Sequence, residues 1–388
     1  MISLLAIPVA CGVVQSLAAS LLVARWVRRP IQRSAERPPV TVLKPLYGTE
    51  PLLEQALATL CQQDYPDWQI VFGVQDPEDP AVAVVERLRI RFPHVAMSLV
   101  VDHARHGANG KVSNLINMFP AARHDVVVIA DSDVHAGPDY LERLVAALGQ
   151  PGVGLVTTLY AGLPATQAWA ARLGATQITH GFLPSAVLAR ALGRRDCLGA
   201  TMCLRRADLQ RIGGLPALAD HLADDQVLGR RIAALGLDVV LAQTVVLTTV
   251  PEGSLRDLFV HELRWARTIR ALEPVGFAAS VLQYPLAWSV LAVVLSGAAP
   301  WSLGLFTLAW VLRAIAAIGV DSAFSDGETL AFSCPVWLLP LRDILSVIVM
   351  MASYGGRRVI WRGHGLEADT PGRFAAPAPY PFEESNAR

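Results

Sequence analysis

The sequence predicts an α/β domain with a mostly parallel sheet and flanking helices, placed between apolar segments long enough to cross a membrane. Short apolar runs alternate with stretches of helical length between residues 38 and 270, which is typical of a parallel sheet covered by helices. The remaining sequence is strongly apolar, and the mean hydropathy of the 388 residues is +0.40. Part of the chain is therefore expected to lie in lipid.

The first apolar segment predicts an N-terminal transmembrane helix over residues 1–26. No charged residue occurs from Ile2 to Ala24, and about 20 apolar residues suffice for a helix to cross a bilayer. No basic segment precedes it, as a cleaved signal peptide would require. The arginines that follow place the next segment in the cytoplasm by the positive-inside rule: Arg25, Arg28, Arg29, Arg33 and Arg37. We therefore expect a multi-pass protein of the inner, cytoplasmic membrane.

Apolar sequence returns near residue 275, and we predict a C-terminal membrane region over residues 275–355. Phe277 to Leu295 and Trp301 to Ile318 are expected to form two spans joined by a turn at residues 297–300.

A third apolar stretch, from Thr329 to Tyr354, is interrupted by Arg342 and Asp343. A full span here would place the arginines of residues 356–388 outside, whereas we expect these residues to form a cytoplasmic tail. We therefore predict a re-entrant or interfacial segment in which Arg342 and Asp343 pair.

The block of residues 38–270 contains seven segments with clear strand or helix patterns. Strands are expected at 40–43, 68–74, 95–101 and 125–130, and helices at 51–62, 80–92 and 111–119. In open sheets of this kind, ligands bind beyond the carboxyl ends of the strands. Asp76 follows the second predicted strand, and Asp131-Ser132-Asp133 follows the fourth. Two groups of carboxylates are therefore expected on one edge of the sheet.

Charge and cysteine content exclude some functions. Lysine plus arginine and aspartate plus glutamate both total 33, so no overall field favours nucleic acid. The five cysteines are scattered and form no close pair typical of a zinc or redox site. We expect free thiols in a reducing compartment.

Three polar segments suggest chemistry, each beside a structural alternative. Asp131 and Asp133 could bind a hard divalent ion that bridges two phosphates, although this spacing also occurs in surface loops. Asp224 and Asp225 open a predicted helix, where they could cap it or supply a general base. The segment from His261 to Trp265 could bind phosphate or form an ordinary interfacial belt.

The order and spacing of these segments resemble the family-2-type processive and lipid glycosyltransferases of GT-A fold, whose pattern is D, DxD, (E/D)D and (Q/R)xxRW. Four further segments look like those of ceramide glucosyltransferases and the bacterial hopanoid-biosynthesis glycosyltransferase: Leu43 to Gly48, Val74 to Ala81, Gly107 to Asn114 and Cys197 to Cys203. The resemblance runs from about Val40 to Arg270.

This resemblance implies roles for individual residues. Asp76 would recognise the nucleotide base, Asp131 and Asp133 would bind Mg²⁺ or Mn²⁺ and the diphosphate, and Asp225 would be the general base. Arg264 and Trp265 would hold the diphosphate and the acceptor entrance.

Three further residues are candidates for the same site: His261, Lys44 and Lys111. His261 departs from the Gln or Arg of the pattern but can still donate a hydrogen bond to phosphate. Lys44 and Lys111 would add positive charge near the nucleotide, or would be ordinary solvated lysines.

The implied reaction is an inverting transfer of a hexosyl group from a UDP-sugar to a membrane lipid hydroxyl. N-acetylglucosamine and bacteriohopanetetrol are the favoured donor sugar and acceptor, with glucose and ceramide as the alternative. A polymer-extruding synthase would need more spans. A catalytically silent lipid-binding scaffold would have no physical need for Asp76, Asp131, Asp225, Arg264 and Trp265 together.

Overall fold

The computed structural model describes residues 2–31, 34, 36–324, 332–356, 358–361 and 364–367. Most of the strands and helices predicted between residues 38 and 270 begin and end within two residues of the observed bounds. The strands are β1 Val40–Pro45, β2 Trp68–Val74, β3 Ala96–Val101, β4 Val126–Ala130, β5 Val134–His135, β6 Val153–Pro164, β7 Thr201–Arg205, β8 Asp238–Val250, β9 Arg358–Trp361 and β10 His364–Glu367.

The helices begin with α1 Ala6–Val27, α2 Leu53–Cys61, α3 Ala81–Arg91, α4 Gly110–Met118, α5 Tyr140–Leu148, α6 Trp169–Gln177 and α7 Leu183–Ala191. They continue with α8 Arg206–Arg211, α9 Asp224–Ala234, α10 Leu255–Leu272, α11 Pro274–Ala279, α12 Pro285–Leu295, α13 Pro300–Ala323 and α14 Leu339–Ser353.

The chain divides into two compact units. The sheet unit holds residues 31–159 and 195–246, and the helical unit holds residues 1–30, 160–194 and 247–371. The five cysteines are free thiols, as expected from their spacing.

The main sheet has eight strands in the order β3-β2-β1-β4-β7-β6-β8-β5. β1 pairs in parallel with β2 and β4, and β2 with β3, which confirms the parallel strand pairing predicted from the sequence. β7 runs antiparallel to β4 and β6. The alternation of predicted strands and helices up to residue 130 did not predict this antiparallel pairing. The carboxyl ends of β2 and β4 therefore lie at one edge of the sheet.

Apolar side chains from both sides of the sheet hold this edge in place. β4 is buried along its whole length because its five residues are all apolar and lie between β1 and β7. Its Ile129 shares a core with Leu115 of α4 and Leu228 of α9. α4 and α9 are the helices that carry Lys111 and Asp225, so one core positions both side chains.

Among the described residues of the helical unit, three single helical segments are long and apolar enough to cross a membrane: Ala6–Val27, Pro300–Ala323 and Val336–Ser353. The residues expected to span from Phe277 to Leu295 lie in two helical segments, Pro274–Gln283 and Pro285–Leu295, which together are long and apolar enough to cross a membrane but are bent by 66° at the break between them. Pro285 lacks an N–H and restricts the residue before it, which explains the break. Whether these segments span, re-enter or lie at the interface stays a prediction, and most of residues 356–388 lie outside the described part of the chain.

Arg342 and Asp343 do not pair with each other, so that expectation was wrong. Arg342 instead donates from both terminal nitrogens to the two carboxylate oxygens of Glu262, at 2.7 Å each. Asp343 accepts from the backbone N–H of Leu286 at 3.1 Å, near the start of α12. Neighbouring residues on a helix point in different directions and cannot face each other. Each charge therefore binds a different helix.

Loss of the Glu262–Arg342 pair is expected to destabilise the fold, because the two side chains are only 8% and 2% exposed. In Arg342→Met, Glu262 keeps a buried charge without this partner, and such losses cost about 3–5 kcal/mol. We expect a clear fall in the thermal unfolding midpoint of the detergent-purified chain, largely restored in Glu262→Leu/Arg342→Leu.

A matched control is the exposed pair of Arg87 and Glu54, whose side chains are 55% and 38% exposed. Arg87→Met should change the free energy of unfolding by less than about 1 kcal/mol. Equal effects of Arg342→Met and Arg87→Met would contradict the structural importance of the buried pair.

Candidate functional site

Lys44 lies under the turn that follows β4. It projects from β1, is fully buried, and its ammonium group donates to the backbone carbonyls of Asp131 and Val134, the latter at 3.3 Å. Burial lowers the pKa of Lys44 to about 8, against the opposing effect of Asp133, Asp131 and Glu50. Lys44 is therefore not a solvated lysine, and it holds the shape of the Asp131-Ser132-Asp133 turn.

Lys111 joins two acidic segments that are far apart in the sequence. Its ammonium lies 2.7 Å from Asp131 Oδ1 and 3.4 Å from Asp224 Oδ2, and its side chain is 13% exposed. Burial opposes this charge, but Asp131 and Asp224 raise the pKa of Lys111 above its ordinary value. Asn109, the N-cap of α4, accepts from the backbone N–H of Lys111 at 2.9 Å and so fixes the start of that helix. The alternative of a solvated lysine is wrong here too.

Asp225 is the second residue of α9. Its Oδ1 accepts from the backbone N–H of Gln226 at 2.8 Å. Burial, and then the neighbouring charge of Asp224, raises the pKa of Asp225 to about 7. A carboxyl group with a pKa near neutral pH is suited to take a proton from a hydroxyl group. Because the N-cap of α9 is Ala223, neither aspartate is the capping residue.

Gly199 makes room for the Asp225 carboxylate. A Cβ placed on Gly199 would lie only 2.9 Å from Asp225 Oδ2. Any larger residue at position 199 must therefore displace that oxygen or move itself. Gly199 belongs to the segment from Cys197 to Cys203, so this motif has a physical reason for its glycine.

Asp131 and Asp133 fit one kind of metal site. Within the described residues, no group of three or more His, Cys, Asp or Glu side chains is arranged to hold a metal ion. Mg²⁺ commonly takes one or two protein carboxylates and completes its shell with water and substrate phosphates. The turn itself is braced by Ser132, which donates to Glu50 at 2.5 Å. A pair of carboxylates on this turn suits an ion that is shared with a phosphate-bearing substrate.

Asp76 lies at the same edge of the sheet, as expected. It follows β2, which is separated from β4 by β1 alone, and its Oδ1 accepts from the backbone N–H of Glu78 at 2.9 Å. Nearby, both carboxylate oxygens of Asp79 accept from the backbone N–H of Gly48, at 3.1 and 2.9 Å. These bonds connect the two sequence segments that follow β1 and β2.

The remaining predicted residues, His261, Arg264 and Trp265, lie on α10 in the helical unit. The rings of His261 and Trp265 have centroids 4.3 Å apart. His261 Nδ1 is hydrogen-bonded to Glu252, which lies before α10. Beside them is a cavity of about 450 Å³ lined by Arg256, Asp257, Val260, His261 and Arg264.

The structure thus brings Lys44, Lys111 and Asp131 together with Asp224, the residue before Asp225. The sequence arguments missed the ion pair of Asp224, the space left by Gly199 and the partner of His261. Only Gly199 had a signal, because it is the one glycine in a segment already singled out.

Comparison with known proteins finds relatives that carry two different enzyme names. A ceramide glucosyltransferase from Komagataella phaffii is 34% identical over 115 residues, covering 29% of this chain and 23% of that protein. Ceramide glucosyltransferase 1 from Caenorhabditis elegans is 23% identical over 238 residues, covering 61% and 51%. An N-acetylglucosaminyltransferase from Bradyrhizobium diazoefficiens is 25% identical over 246 residues, covering 60% and 49%. The matches thus span about half or less of each relative.

Among solved structures, the mannosyltransferase PcManGT from Pyrobaculum calidifontis, in complex with GDP-Man and Mn²⁺, is similar with a TM-score of 0.52. The two are 21% identical, and the match covers 90% of this chain and 99% of that one. This likeness confirms the GT-A-type α/β fold. The sequence profile of one family matches residues 4–374, nearly the whole chain, and the protein therefore belongs to glycosyl transferase family 21.

Proposed function

We propose that the protein transfers a hexosyl group from a UDP-sugar to the hydroxyl of a membrane lipid. The observation that carries this proposal is the group of charged side chains formed by Lys111, Asp131, Asp224 and Asp225 at the carboxyl edge of the parallel strands. It supplies a carboxyl group with a pKa near 7 next to carboxylates suited to a phosphate-bound ion. Family membership and the candidate membrane helices support the same reaction class.

In this proposal Asp225 takes the proton of the acceptor hydroxyl as its oxygen attacks the anomeric carbon. Its pKa near 7 leaves a substantial fraction ionised at neutral pH while keeping it basic enough to accept the proton. The family resemblance implies direct displacement by the acceptor oxygen, so an α-linked donor would give a β-linked product.

The leaving diphosphate needs positive charge as the bond to the sugar breaks. Asp131 and Asp133 would hold Mg²⁺ or Mn²⁺, which supplies Lewis acid chemistry when bound. Lys111 keeps Asp131 in position, and Lys44 maintains the turn beneath it. Asp76 would contact the nucleotide base, and Arg264 and Trp265 would contact the diphosphate and the acceptor.

The flanking sequence and the relatives bear on the membrane orientation, the donor sugar and the acceptor lipid. The arginines after α1 favour a catalytic domain on the cytoplasmic face of the inner membrane. For donor and acceptor, we favour N-acetylglucosamine and bacteriohopanetetrol, with glucose and ceramide as the alternative. The Bradyrhizobium diazoefficiens relative supports the first sugar by its name, and the ceramide glucosyltransferases support the second pair.

Asp225→Asn tests the assigned base. We expect transfer of labelled sugar to lipid to fall by about 10²–10⁴-fold, because the amide cannot accept the proton. Thermal stabilisation by UDP and Mn²⁺ should remain, since the residue does not bind the nucleotide.

Asp238→Asn, at the exposed first residue of β8, is the matched control and should transfer normally. Near-normal transfer by Asp225→Asn would show that the base is wrong. A wild-type chain that is stabilised by neither nucleotide nor ion, and that transfers no sugar, would instead fit the silent scaffold.

Gly199→Ala tests the geometry around the same carboxylate. The added methyl group would lie 2.9 Å from Asp225 Oδ2 and should push that oxygen away. Displacements of about 1 Å can cost about a hundredfold in rate. We therefore expect a large fall in the turnover number with little change in the thermal midpoint, because only a side-chain end has to move.

The control is Gly137→Ala, where the nearest atom to the new Cβ is 3.6 Å away. If both variants transfer sugar at the same rate, Gly199 has no role in placing Asp225.

A further inference from the structure

Asn109 connects the start of α4 to the loop that precedes α9. Its side-chain Oδ1 accepts from the backbone N–H of Lys111, and its Nδ2 donates to the backbone carbonyl of His221 at 2.8 Å. Its own backbone N–H donates to the carbonyl of Ala219, also at 2.8 Å. Because Asn109 is only 2% exposed, both ends of its amide are bonded inside the protein. One residue therefore holds together two loops that are distant in the sequence.

The two residues before Asn109 extend this connection. The backbone N–H of Ala108 donates to Oδ1 of Asp220 at 2.9 Å. A Cβ placed on Gly107 would lie 2.6 Å from the carbonyl oxygen of Ala219 and 2.7 Å from Oδ1 of Asp220. A larger residue at position 107 would therefore force the loops apart, which gives a physical reason for the glycine. We refer to the three hydrogen bonds between these two loops as the loop clamp.

The loop clamp lies beside the ion pairs of Lys111. Lys111 is two residues after Asn109, and it contacts Asp224, which is three residues after His221. The N termini of α4 and α9 are therefore connected twice, once through charges and once through neutral hydrogen bonds. The charged connection is shared, because Lys111 also contacts Asp131, where the phosphate-bound ion is proposed. The neutral bonds do not depend on what binds to Asp131, so they hold the start of α9 whether or not Lys111 stays with Asp131.

We propose that Asn109 is a positioning residue, which acts through the loop clamp to fix the start of α9 and so to place Asp225 against the acceptor hydroxyl. The inference rests on the proposed function, which makes Asp225 the general base. In this role Asn109 contacts neither donor nor acceptor and acts only through the loop before α9. A backbone that shifts by about 1 Å would misplace the base enough to slow the transfer step.

Asn109→Ser tests this role, because serine is also a good N-cap but its short side chain ends before the His221 carbonyl. We expect the turnover number for transfer of labelled sugar to fall by about tenfold. The dissociation constant of UDP with Mn²⁺, measured by calorimetry on the full chain in detergent, should change by less than about twofold, because the α4 cap and Lys111 remain. A general loss of folding would not separate turnover from nucleotide binding in this way.

Asp220 provides an independent pair of variants for the same clamp. It is exposed, so its replacement should leave the fold intact even where Asn109→Ser does not fold. Asp220→Ala removes the acceptor of the Ala108 bond and should lower the turnover number by about fivefold, as for loss of one hydrogen bond. Asp220→Asn keeps an acceptor oxygen and should restore the turnover number.

The matched control is Asn117→Ser on the same helix. The Nδ2 of Asn117 donates to the carbonyls of Asp102 and Ala104, at 3.1 and 3.0 Å, which belong to a different loop. This variant should keep its turnover number within about twofold of wild type. Hydrogen exchange adds a measurement that needs no activity: the backbone amides of residues 221–227 should exchange faster in Asn109→Ser than in Asn117→Ser or wild type.

Three results would overturn the inference. They are unchanged exchange of residues 221–227 in Asn109→Ser, faster exchange there with normal turnover in both Asn109→Ser and Asp220→Ala, and an equal loss of turnover in Asn117→Ser. Normal transfer by Asp225→Asn, together with the expected change in exchange, would instead contradict the proposed function, because the clamp would then hold a loop that carries no base.

Discussion

The ammonium group of Lys111 is the contact on which the sheet unit's polar site depends. It lies between Asp131, at the end of β4, and Asp224, at the start of α9. Without a cation there, the carboxylates of Asp131 and the buried Asp224 would repel each other across these elements. The contact therefore sets the position of α9, and with it the position of Asp225. Apolar packing of Ile129, Leu115 and Leu228 also holds β4, α4 and α9 together.

In the helical unit, several buried charged side chains likewise bind groups on other elements. Arg342 binds Glu262, and Asp343 binds the start of α12. Elsewhere, Asp321 contacts His180 at 2.7 Å, and Arg313 donates to the His180 carbonyl at 2.8 Å. Ionisable groups in apolar segments are costly, so those that remain usually fix helix contacts or serve function. Here they specify which helices pack together, and Glu262 does so from within the segment that contains Arg264.

The sequence was sufficient to predict the local strands and helices, but it could not predict the long-range contacts between them. Apolar periodicity placed β2 at its observed bounds and put Asp131 directly after β4, because both features depend on neighbouring residues. It could not show that Arg342 pairs with Glu262, which is 80 positions away. Nor could it decide whether Lys44 and Lys111 are buried, since a lysine after a strand or at a helix start is compatible with either environment. The antiparallel half of the sheet also depends on long-range pairing.

In the proposed reaction, a carboxyl group of near-neutral pKa activates a lipid hydroxyl close to a phosphate-bound ion. Its most direct test is to incubate membranes containing the chain with labelled UDP-N-acetylglucosamine or UDP-glucose, Mn²⁺, and either bacteriohopanetetrol or ceramide. We expect label to enter one lipid with a β-linkage, as identified by mass and by the configuration of the product. Nucleotide release with the label recovered only as free sugar would contradict it.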